Sequence, residues 1–164
     1  MPTKKKSARK PTKRVKRSPR AKRPAAKRRA TQARHQPETL RLRASNPGFT
    51  VNDIAASVDW YQRVLGCVVV DRWDRDGKLM GATLRAGAVD FYLGQDDWRK
   101  GRDRKKGEGF RLYCVTAQDI GALAATIKAR GGTLLHEPQT EPWGERDFAV
   151  IDPDGFKITI SQAR

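Results

Sequence analysis

Two stretches of the chain repeat each other and decide its fold. Residues 53–66 have the sequence DIAASVDWYQRVLG, and residues 119–132 have the sequence DIGALAATIKARGG. Both begin with Asp-Ile and end at Gly, at a constant offset of 66 residues. Apolar residues recur in each stretch at intervals of three and four, which predicts an amphipathic helix. Asp before a helix and Gly after it are typical capping residues, so the repeat predicts two equivalent capped helices.

Strand-like segments surround each helix in the same order, one before it and three after it. They cover 48–51, 67–73, 78–85 and 88–94 in the first copy, and 110–116, 133–137, 146–152 and 156–162 in the second. Turn residues separate them, as in Asp152-Pro153-Asp154-Gly155. We therefore expect an α+β fold of two tandem β-α-β-β-β modules, about 44–95 and 109–162. Because neither module closes its own sheet, the two should pair their sheets around a shared groove.

The charge of the chain divides at residue 37. The whole chain of 164 residues has a formal net charge of +17, and residues 1–37 hold 16 Lys or Arg and no acidic residue. Residues 38–164 hold the other 19 basic and all 18 acidic residues. The basic segment has too few apolar side chains to offset its chain entropy, so we expect a disordered tail over 1–37 and a folded domain over 38–164. This division excludes a uniformly basic nucleic-acid-binding fold.

The basic tail favours non-specific binding to nucleic acid, driven by the release of counterions from phosphates. Its Lys/Ala/Pro composition resembles the tails of linker-histone-like proteins. A solubilising or targeting extension is the alternative. The residues expected to contact phosphates are Lys4, Lys5, Lys6, Lys13, Arg14, Lys16, Arg17, Lys22, Arg23, Lys27, Arg28 and Arg29.

Several classes of protein are excluded by the distribution of apolar residues. No apolar run approaches the roughly 18 residues of a membrane span, and no apolar stretch follows the basic N-terminus as in a secretory signal. Repeated prolines break the amphipathic helix that an organelle presequence would need. Cys67 and Cys114 lie in apolar runs, which indicates buried thiols in a reducing compartment. We expect a cytoplasmic protein, associated with the nucleoid in a bacterium, with nuclear localisation as the eukaryotic alternative.

Three features together resemble a known superfamily. They are VNDIAASVDWYQRVLG at 51–66, PWGERDFAVIDPDG at 142–155, and the repeat itself. Their order resembles the vicinal oxygen chelate superfamily, which includes glyoxalases, bleomycin resistance proteins and extradiol dioxygenases. The resemblance implies paired modules around a groove that holds a ligand or a divalent metal ion.

The metal positions implied by the resemblance are not occupied by typical metal ligands. They fall at Asn46, at or beside Leu93, among 110–112, and at Thr159. A site for a divalent ion requires several carboxylate or imidazole ligands, so we expect no metal and no cofactor. The alternative metal or catalytic pair is His136 with Glu137, although a His beside a Glu near a strand end is more typical of a protein surface.

Metal-free members of the superfamily bind antibiotics, and such a site needs aromatic walls and a few polar anchors. The candidates, in sequence order, are Trp73, Arg85, Phe91, Arg111, Trp143, Asp147 and Thr159. Core packing is the competing interpretation for each aromatic residue, including Phe148, which we also considered as a wall. The connector over 96–109 carries six basic and four acidic residues. It is interpreted as a solvated crossover, or as a second polyanion contact or a lid.

Three functions remain open. The first is a metal-independent small-molecule-binding protein, tethered to nucleic acid by its tail. The second is a superfamily enzyme, a lyase or dioxygenase, with displaced metal ligands. The third is a nucleic-acid-associated protein that uses its body as a dimerisation module. Sheet edges need partners, so a homodimer is expected in each case.

Overall fold

The two predicted helices are present in the computed structural model, which describes residues 44–163. They are α1 (Ile54–Arg63) and α2 (Ile120–Ala129). The side chain of Asp53 accepts a hydrogen bond from the first turn of α1, and Asp119 does the same for α2. The capping prediction is therefore confirmed. In this described part of the chain, neither helix has the length and apolarity that a membrane span requires.

Eight strands form two separate four-stranded sheets. The first sheet contains β1 (Gly48–Val51), β2 (Val68–Arg75), β3 (Lys78–Ala86) and β4 (Val89–Gln95), and the second contains β5 (Arg111–Thr116), β6 (Thr133–Thr140), β7 (Arg146–Ile151) and β8 (Lys157–Gln162). Their orders are β1-β4-β3-β2 and β5-β8-β7-β6, each with one parallel pair. The α+β fold of tandem β-α-β-β-β modules is confirmed. No backbone ladder joins the two sheets within 44–163.

Both modules contribute to one hydrophobic core. Alternate residues of each strand point toward the helices, as a half-buried sheet requires. Phe49 of the first module stacks on Phe156 of the second, with ring centroids 4.5 Å apart, and meets Phe110 at 5.9 Å. The helix-facing sides of the two sheets therefore meet at this core, and their other sides lie outside it.

The sides of the sheets that do not face the helices are named here the first and second open faces. Strand registers give their members. The first open face includes Thr50, Trp73, Gly81, Thr83, Arg85, Asp90 and Tyr92, and the second includes Arg111, Tyr113, Val115, His136, Asp147, Thr159 and Ser161.

The β7–β8 turn of the second module is hydrogen-bonded to α1 of the first, in a contact named here the closed seam. The Tyr61 hydroxyl donates to Oδ2 of Asp152 over 3.1 Å, and both residues are buried. The carboxylate of Asp154 accepts from the backbone N–H of Asn52 at 2.8 Å and from the Ser57 hydroxyl at 3.2 Å. Five polar groups, joined by three hydrogen bonds, thus hold the end of one sheet against the helix of the other module.

The equivalent contact on the other side, named here the open seam, contains a cavity of about 720 Å³. It is lined by the β3–β4 turn, 86–89, and by Leu123 and Ile127 of α2. Both cysteine thiols, Cys67 and Cys114, also line it. Burial raises the pKa of Cys67 to about 11 and raises that of Cys114, so both thiols stay protonated at neutral pH.

The connector between the modules is fixed by a buried carboxylate. Asp96 is 3% exposed and forms ion pairs with Arg104 and with Lys106, whose Nζ lies 2.8 Å away. The backbone N–H of Trp98 also donates to Asp96, at 2.9 Å, and the guanidinium of Arg102 lies 4.7 Å from the centroid of the Trp98 ring. The adjacent ammonium of Lys106 and the hydrogen bond from Trp98 lower the pKa of Asp96 to about 2, so the carboxylate is ionised. We name this arrangement the Asp96 clasp.

Candidate ligand-binding surfaces

Trp73 provides a flat aromatic surface on the first open face. It pairs across the ladder with Gly81 and is 43% exposed. A Cβ atom added at Gly81 would overlap the indole ring, so the glycine leaves the space that the ring occupies. The ring of this candidate residue therefore lies flat on the sheet, with its outer side open to a ligand.

Tyr92 is an aromatic residue of the first open face that the sequence analysis missed. It is 41% exposed, and its hydroxyl accepts a hydrogen bond from Nδ2 of Asn46 over 3.1 Å. Its neighbour Leu93 is fully buried toward the helices. Of these two positions, only that of Tyr92 faces outward with Asn46. The alternation of buried and exposed residues at the centre of β4, over 91–93, is the signal that identifies it.

Arg85 lies on the first open face but is already paired. Its Nε and Nη2 atoms donate to the two carboxylate oxygens of Asp90, at 2.6 and 2.9 Å. The pair lowers the pKa of Asp90 and raises that of Arg85. Arg85 can serve as an anchor only with Asp90 beside it, so the pair presents both charges to a ligand.

Phe91 does not lie with the other candidates. It is 3% exposed and packs between Phe49 and Tyr61, with ring centroids 6.4 and 5.7 Å away. Phe148, also considered as a wall, is fully buried on the helix-facing side of β7. Both residues point to the helix-facing side of their strands, opposite to the open faces, so the core-packing interpretation holds for both.

The second open face combines exposed apolar residues with buried polar ones. Tyr113 is 56% exposed and lies opposite Thr159, and the exposed Arg111 precedes it on β5 by two residues. The hydroxyl oxygen of Thr159 is buried and has no hydrogen-bond partner among the described residues. A polar ligand atom at this point would satisfy that hydroxyl, because an unpaired buried hydroxyl costs free energy.

Asp147 is a buried carboxylate on the same face. It is 3% exposed, and its Oδ1 atom has no hydrogen-bond partner among residues 44–163. His136 Nε2 lies 3.7 Å from this oxygen, and a carboxylate oxygen of Glu141 also lies close, all three groups being within 4.8 Å of one another. Burial and then Glu141 raise the pKa of Asp147, while His136 acts in the opposite direction.

Two further residues of the candidate set lie near the β6–β7 end of the second sheet. Glu137 points away from His136 toward α2, where its Oε1 atom lies 2.5 Å from Lys128 Nζ. The predicted alternative pair of His136 with Glu137 is therefore not formed by their side chains. Trp143 lies in the loop between β6 and β7, is 58% exposed, and donates from Nε1 to Glu145 over 3.2 Å.

The metal positions implied by the family offer poor ligands. The structure places Asn46 and Tyr92 on one open face, and Arg111 and Thr159 on the other. An amide, a phenol, a guanidinium and a hydroxyl do not form a divalent-metal site, which requires carboxylate or imidazole groups. The donor set at these positions therefore does not fit the family's metal ion.

The predicted nucleic-acid-binding residues, Lys4 to Arg29, lie outside the described residues, as does the boundary at residue 37. Within the connector, three of the six cations have partners inside the loop: Asp96 pairs with Arg104 and Lys106, and Glu108 lies 3.8 Å from Lys105. Arg102 is stacked on Trp98. Arg99 and Lys100 are exposed at the tip of the loop.

Known proteins match the part of the chain that carries both modules. A sequence model of the family described as "Glyoxalase/Bleomycin resistance protein/Dioxygenase superfamily" matches residues 44–160. A "Bleomycin resistance protein" of Geobacillus stearothermophilus is 31% identical over 131 residues, covering 72% of this chain and 95% of that protein. A "Probable lactoylglutathione lyase" of Vibrio cholerae is 27% identical over 124 residues, covering 68% of this chain and 84% of that protein.

The solved structures agree on the fold. A member of the same superfamily from Sphaerobacter thermophilus superposes with a TM-score of 0.60 at 24% identity, covering 74% of this chain and 98% of that one. Some relatives are longer: the chain spans 33% of a chloroplastic "Probable lactoylglutathione lyase" of Arabidopsis thaliana, to which it is 27% identical.

Proposed function

The chain belongs to the Glyoxalase/Bleomycin resistance protein/Dioxygenase superfamily, and on this basis we propose that its body captures a small organic molecule on its open faces. The capture requires no metal ion at the family's ligand positions. The observation that carries the proposal is the pairing of exposed aromatic rings with non-ligating polar groups at those positions. Tyr92 with Asn46 occupies one open face, and Tyr113 with Thr159 the other. The relative named as a bleomycin resistance protein supports this class of function.

The ligand groove forms between two copies of the chain. The open faces lie outside the core that joins the two modules, so one chain does not fold one face onto the other. Each carries exposed large apolar side chains, among them Trp73, Tyr92, Tyr113 and Val115. A second copy that brings its second open face onto the first would bury these side chains and enclose a site with aromatic walls. We therefore propose a homodimer with two equivalent grooves.

A thermal-shift screen of small organic molecules on chelator-treated protein tests the binding function. A ligand present at 100 times its dissociation constant should raise the free energy of unfolding by about 2.7 kcal/mol. The Trp73→Ala variant should lose the shift. Trp98→Ala is the matched control, because Trp98 lies in the connector and on neither open face. If a hit retains its full shift in Trp73→Ala, its binding site lies elsewhere.

A metal-dependent enzyme is the second candidate function. The relatives named as lactoylglutathione lyases favour it, and the donor set at the family's metal positions weighs against it. Its test is an assay for the formation or breakdown of lactoylglutathione by protein supplied with Zn²⁺, Ni²⁺ or Mn²⁺. If turnover is lost on chelation and restored by one of these ions, the protein is a metal-dependent enzyme, and the metal-free binding function is wrong.

We also propose that residues 1–37 form a tail, separate from the domain over 38–164, that tethers the body to nucleic acid. Its 16 basic residues and lack of acidic residues support the proposal. If about half of these charges neutralise phosphates, a plot of log affinity against log salt concentration should have a slope of about −7. Each neutralised phosphate contributes roughly −0.9 to this slope. A nucleic-acid-associated protein with the body as its dimerisation module remains compatible with this tether.

The tether is tested by measuring affinity for DNA duplexes of unrelated sequence over a range of salt concentrations. Deleting residues 1–37 should remove most of the slope. Replacing every Lys of the tail by Arg should preserve it, because the interaction depends on charge and not on base contacts. Binding that survives the deletion would place nucleic-acid recognition in the folded body.

A further inference from the structure

A β-bulge brings His136 to the second open face. In β6, Leu134 pairs with Val150 and His136 with the adjacent Ala149, so two residues of β6 span one residue of β7. Residues two apart on a regular strand share a face, but this irregularity turns His136 away from Leu134 and toward Asp147. Bulges often redirect a side chain next to a functional site.

The three groups at this point form a suitable ligand set for a metal ion. One imidazole and two carboxylates, from His136, Glu141 and Asp147, lie within 4.8 Å of one another. The 3.7 Å between His136 Nε2 and Asp147 Oδ1 is too long for a hydrogen bond. It is close to the separation of about 3.4 Å between two ligands that each lie about 2.0–2.1 Å from a tetrahedral Zn²⁺.

Neighbouring groups orient the ligands for this role. His136 Nδ1 lies 3.2 Å from the carbonyl oxygen of Glu137, so a proton on Nδ1 satisfies that oxygen and leaves the lone pair of Nε2 facing Asp147. Gln139 Nε2 donates to Glu141 over 2.8 Å. Hydrogen bonds of this kind, from a ligating histidine to a carbonyl and to a ligating carboxylate, are typical of metal sites.

An independent observation is the buried, unpartnered oxygen of Asp147. Asp147 is 97% removed from solvent and its Oδ1 atom lacks a hydrogen bond, so a nearby positive charge or donor would stabilise its ionised form. Arg111 lowers the pKa of Asp147, but its effect is the smallest of those that act on this carboxyl. A divalent ion at this point would compensate Asp147 and Glu141 together.

We propose that His136, Glu141 and Asp147 bind a divalent first-row transition-metal ion, of which Zn²⁺ is the probe. The site lies on β6, on β7 and in the loop between them, away from the positions that the family resemblance assigned to a metal. Three protein ligands leave at least one coordination position open, and the His136 side chain is 27% exposed. The proposal is independent of the ligand-capture function.

Calorimetric titration of the chelator-treated full chain with Zn²⁺ tests the site. We expect one ion per chain, and a loss of affinity of about tenfold or more in His136→Gln, in Glu141→Gln and in Asp147→Asn. Glu137→Gln is the matched control and should bind normally, since Glu137 pairs with Lys128 on the other side of the strand. His35→Gln should also bind Zn²⁺ normally. Because the chain has only two histidines, this result would exclude the tail histidine as a ligand.

The ring nitrogens of His136 give a second readout that leaves all three proposed ligands unsubstituted. In His35→Gln protein labelled with ¹⁵N, one equivalent of Zn²⁺ should shift Nε2 of the remaining imidazole and leave Nδ1 protonated. Unchanged ring signals, or normal Zn²⁺ affinity in His136→Gln, would overturn the proposal. Glu141 lies in a surface loop, so Glu141→Gln keeps the affinity test valid if Asp147→Asn fails to fold.

Discussion

The closed and open seams are equivalent under the 66-residue repeat, yet one is joined by hydrogen bonds and the other contains a cavity of about 720 Å³. At the closed seam, α1 presents the hydroxyls of Ser57 and Tyr61 to two carboxylates. At the same positions α2 carries Leu123 and Ile127, which have no donor to offer. The opposing turns differ as well, since the β3–β4 turn of the first module carries no acidic residue.

The difference teaches that the repeat specifies the backbone and that a few side chains specify the contact. Two hydroxyl-bearing residues on one helix, facing two aspartates on one turn, close a seam. Apolar residues at the equivalent helix positions leave space between the same elements. Predictions that alter one seam and not the other test this interpretation.

The largest expected effect comes from removing Tyr61. This side chain is fully buried and donates to Asp152, so Tyr61→Ala should lower the free energy of unfolding by about 3–5 kcal/mol. Tyr92→Ala is the matched control at an exposed position and should cost less than about 1 kcal/mol. The measurement is chemical denaturation of both variants. Equal losses would mean that the closed seam adds nothing to the core.

The closed seam should also make stability depend on pH. Burial raises the pKa of Asp152 from 3.8 to about 6. Between pH 3.8 and 6 the Asp152 carboxyl is protonated in the folded state and ionised in the unfolded state. Its contribution to the free energy of unfolding is therefore complete below pH 3.8 and is lost as pH rises through 6. The loss amounts to about 3 kcal/mol at most, at about 1.4 kcal/mol for each pKa unit.

Asp152→Asn should abolish this component, because the amide is neutral throughout and its oxygen can still accept from the backbone of Asp154 and Phe156. Denaturation of wild-type and variant protein between pH 4 and 7 gives the difference. Asp96, whose pKa is lowered to about 2, loses its contribution only below pH 4 and does not interfere. A variant with the same pH profile as the wild type would contradict the assignment.

The smallest effect is expected from filling the open seam. Ala122 lines the cavity on an exposed turn of α2, and Ala122→Leu should raise the free energy of unfolding by about 1 kcal/mol through burial of added methylene groups. Ala125→Leu, on the same helix but outside the cavity lining, should leave stability unchanged. Thermal unfolding compares the two, and a destabilised Ala122→Leu would mean that the seam has no room.

Most of the fold was predictable because two periodicities carry it. The apolar stripes and capping aspartates located both helices, and alternation with turn residues located all eight strands. The closed seam was not predictable, since Tyr61 and Asp152 are 91 residues apart and no local pattern joins them.

The candidate site was predictable only in part. Alternation within β4 separates Tyr92, on the open face, from Leu93, on the helix-facing side. A position counted from a family pattern is uncertain by one residue, and a shift of one residue moves the side chain to the other face of the sheet. Alternation does not predict the face of His136, because the bulge turns its side chain to the side opposite that of Leu134. Phe91 and Trp73 are both aromatic strand residues, and only their neighbours decide which is core and which is surface.

The Asp96 clasp has a consequence for how the chain could be divided. Asp96 precedes the tip of the connector, while Arg104 and Lys106 follow it, so a cut at Lys100 leaves the ion pairs spanning the break. The shared core would span the break too, through the stacking of Phe49 on Phe156. The two modules, expressed as separate fragments that end and begin at the connector tip, should reassemble, which makes this chain a natural scaffold for a split reporter.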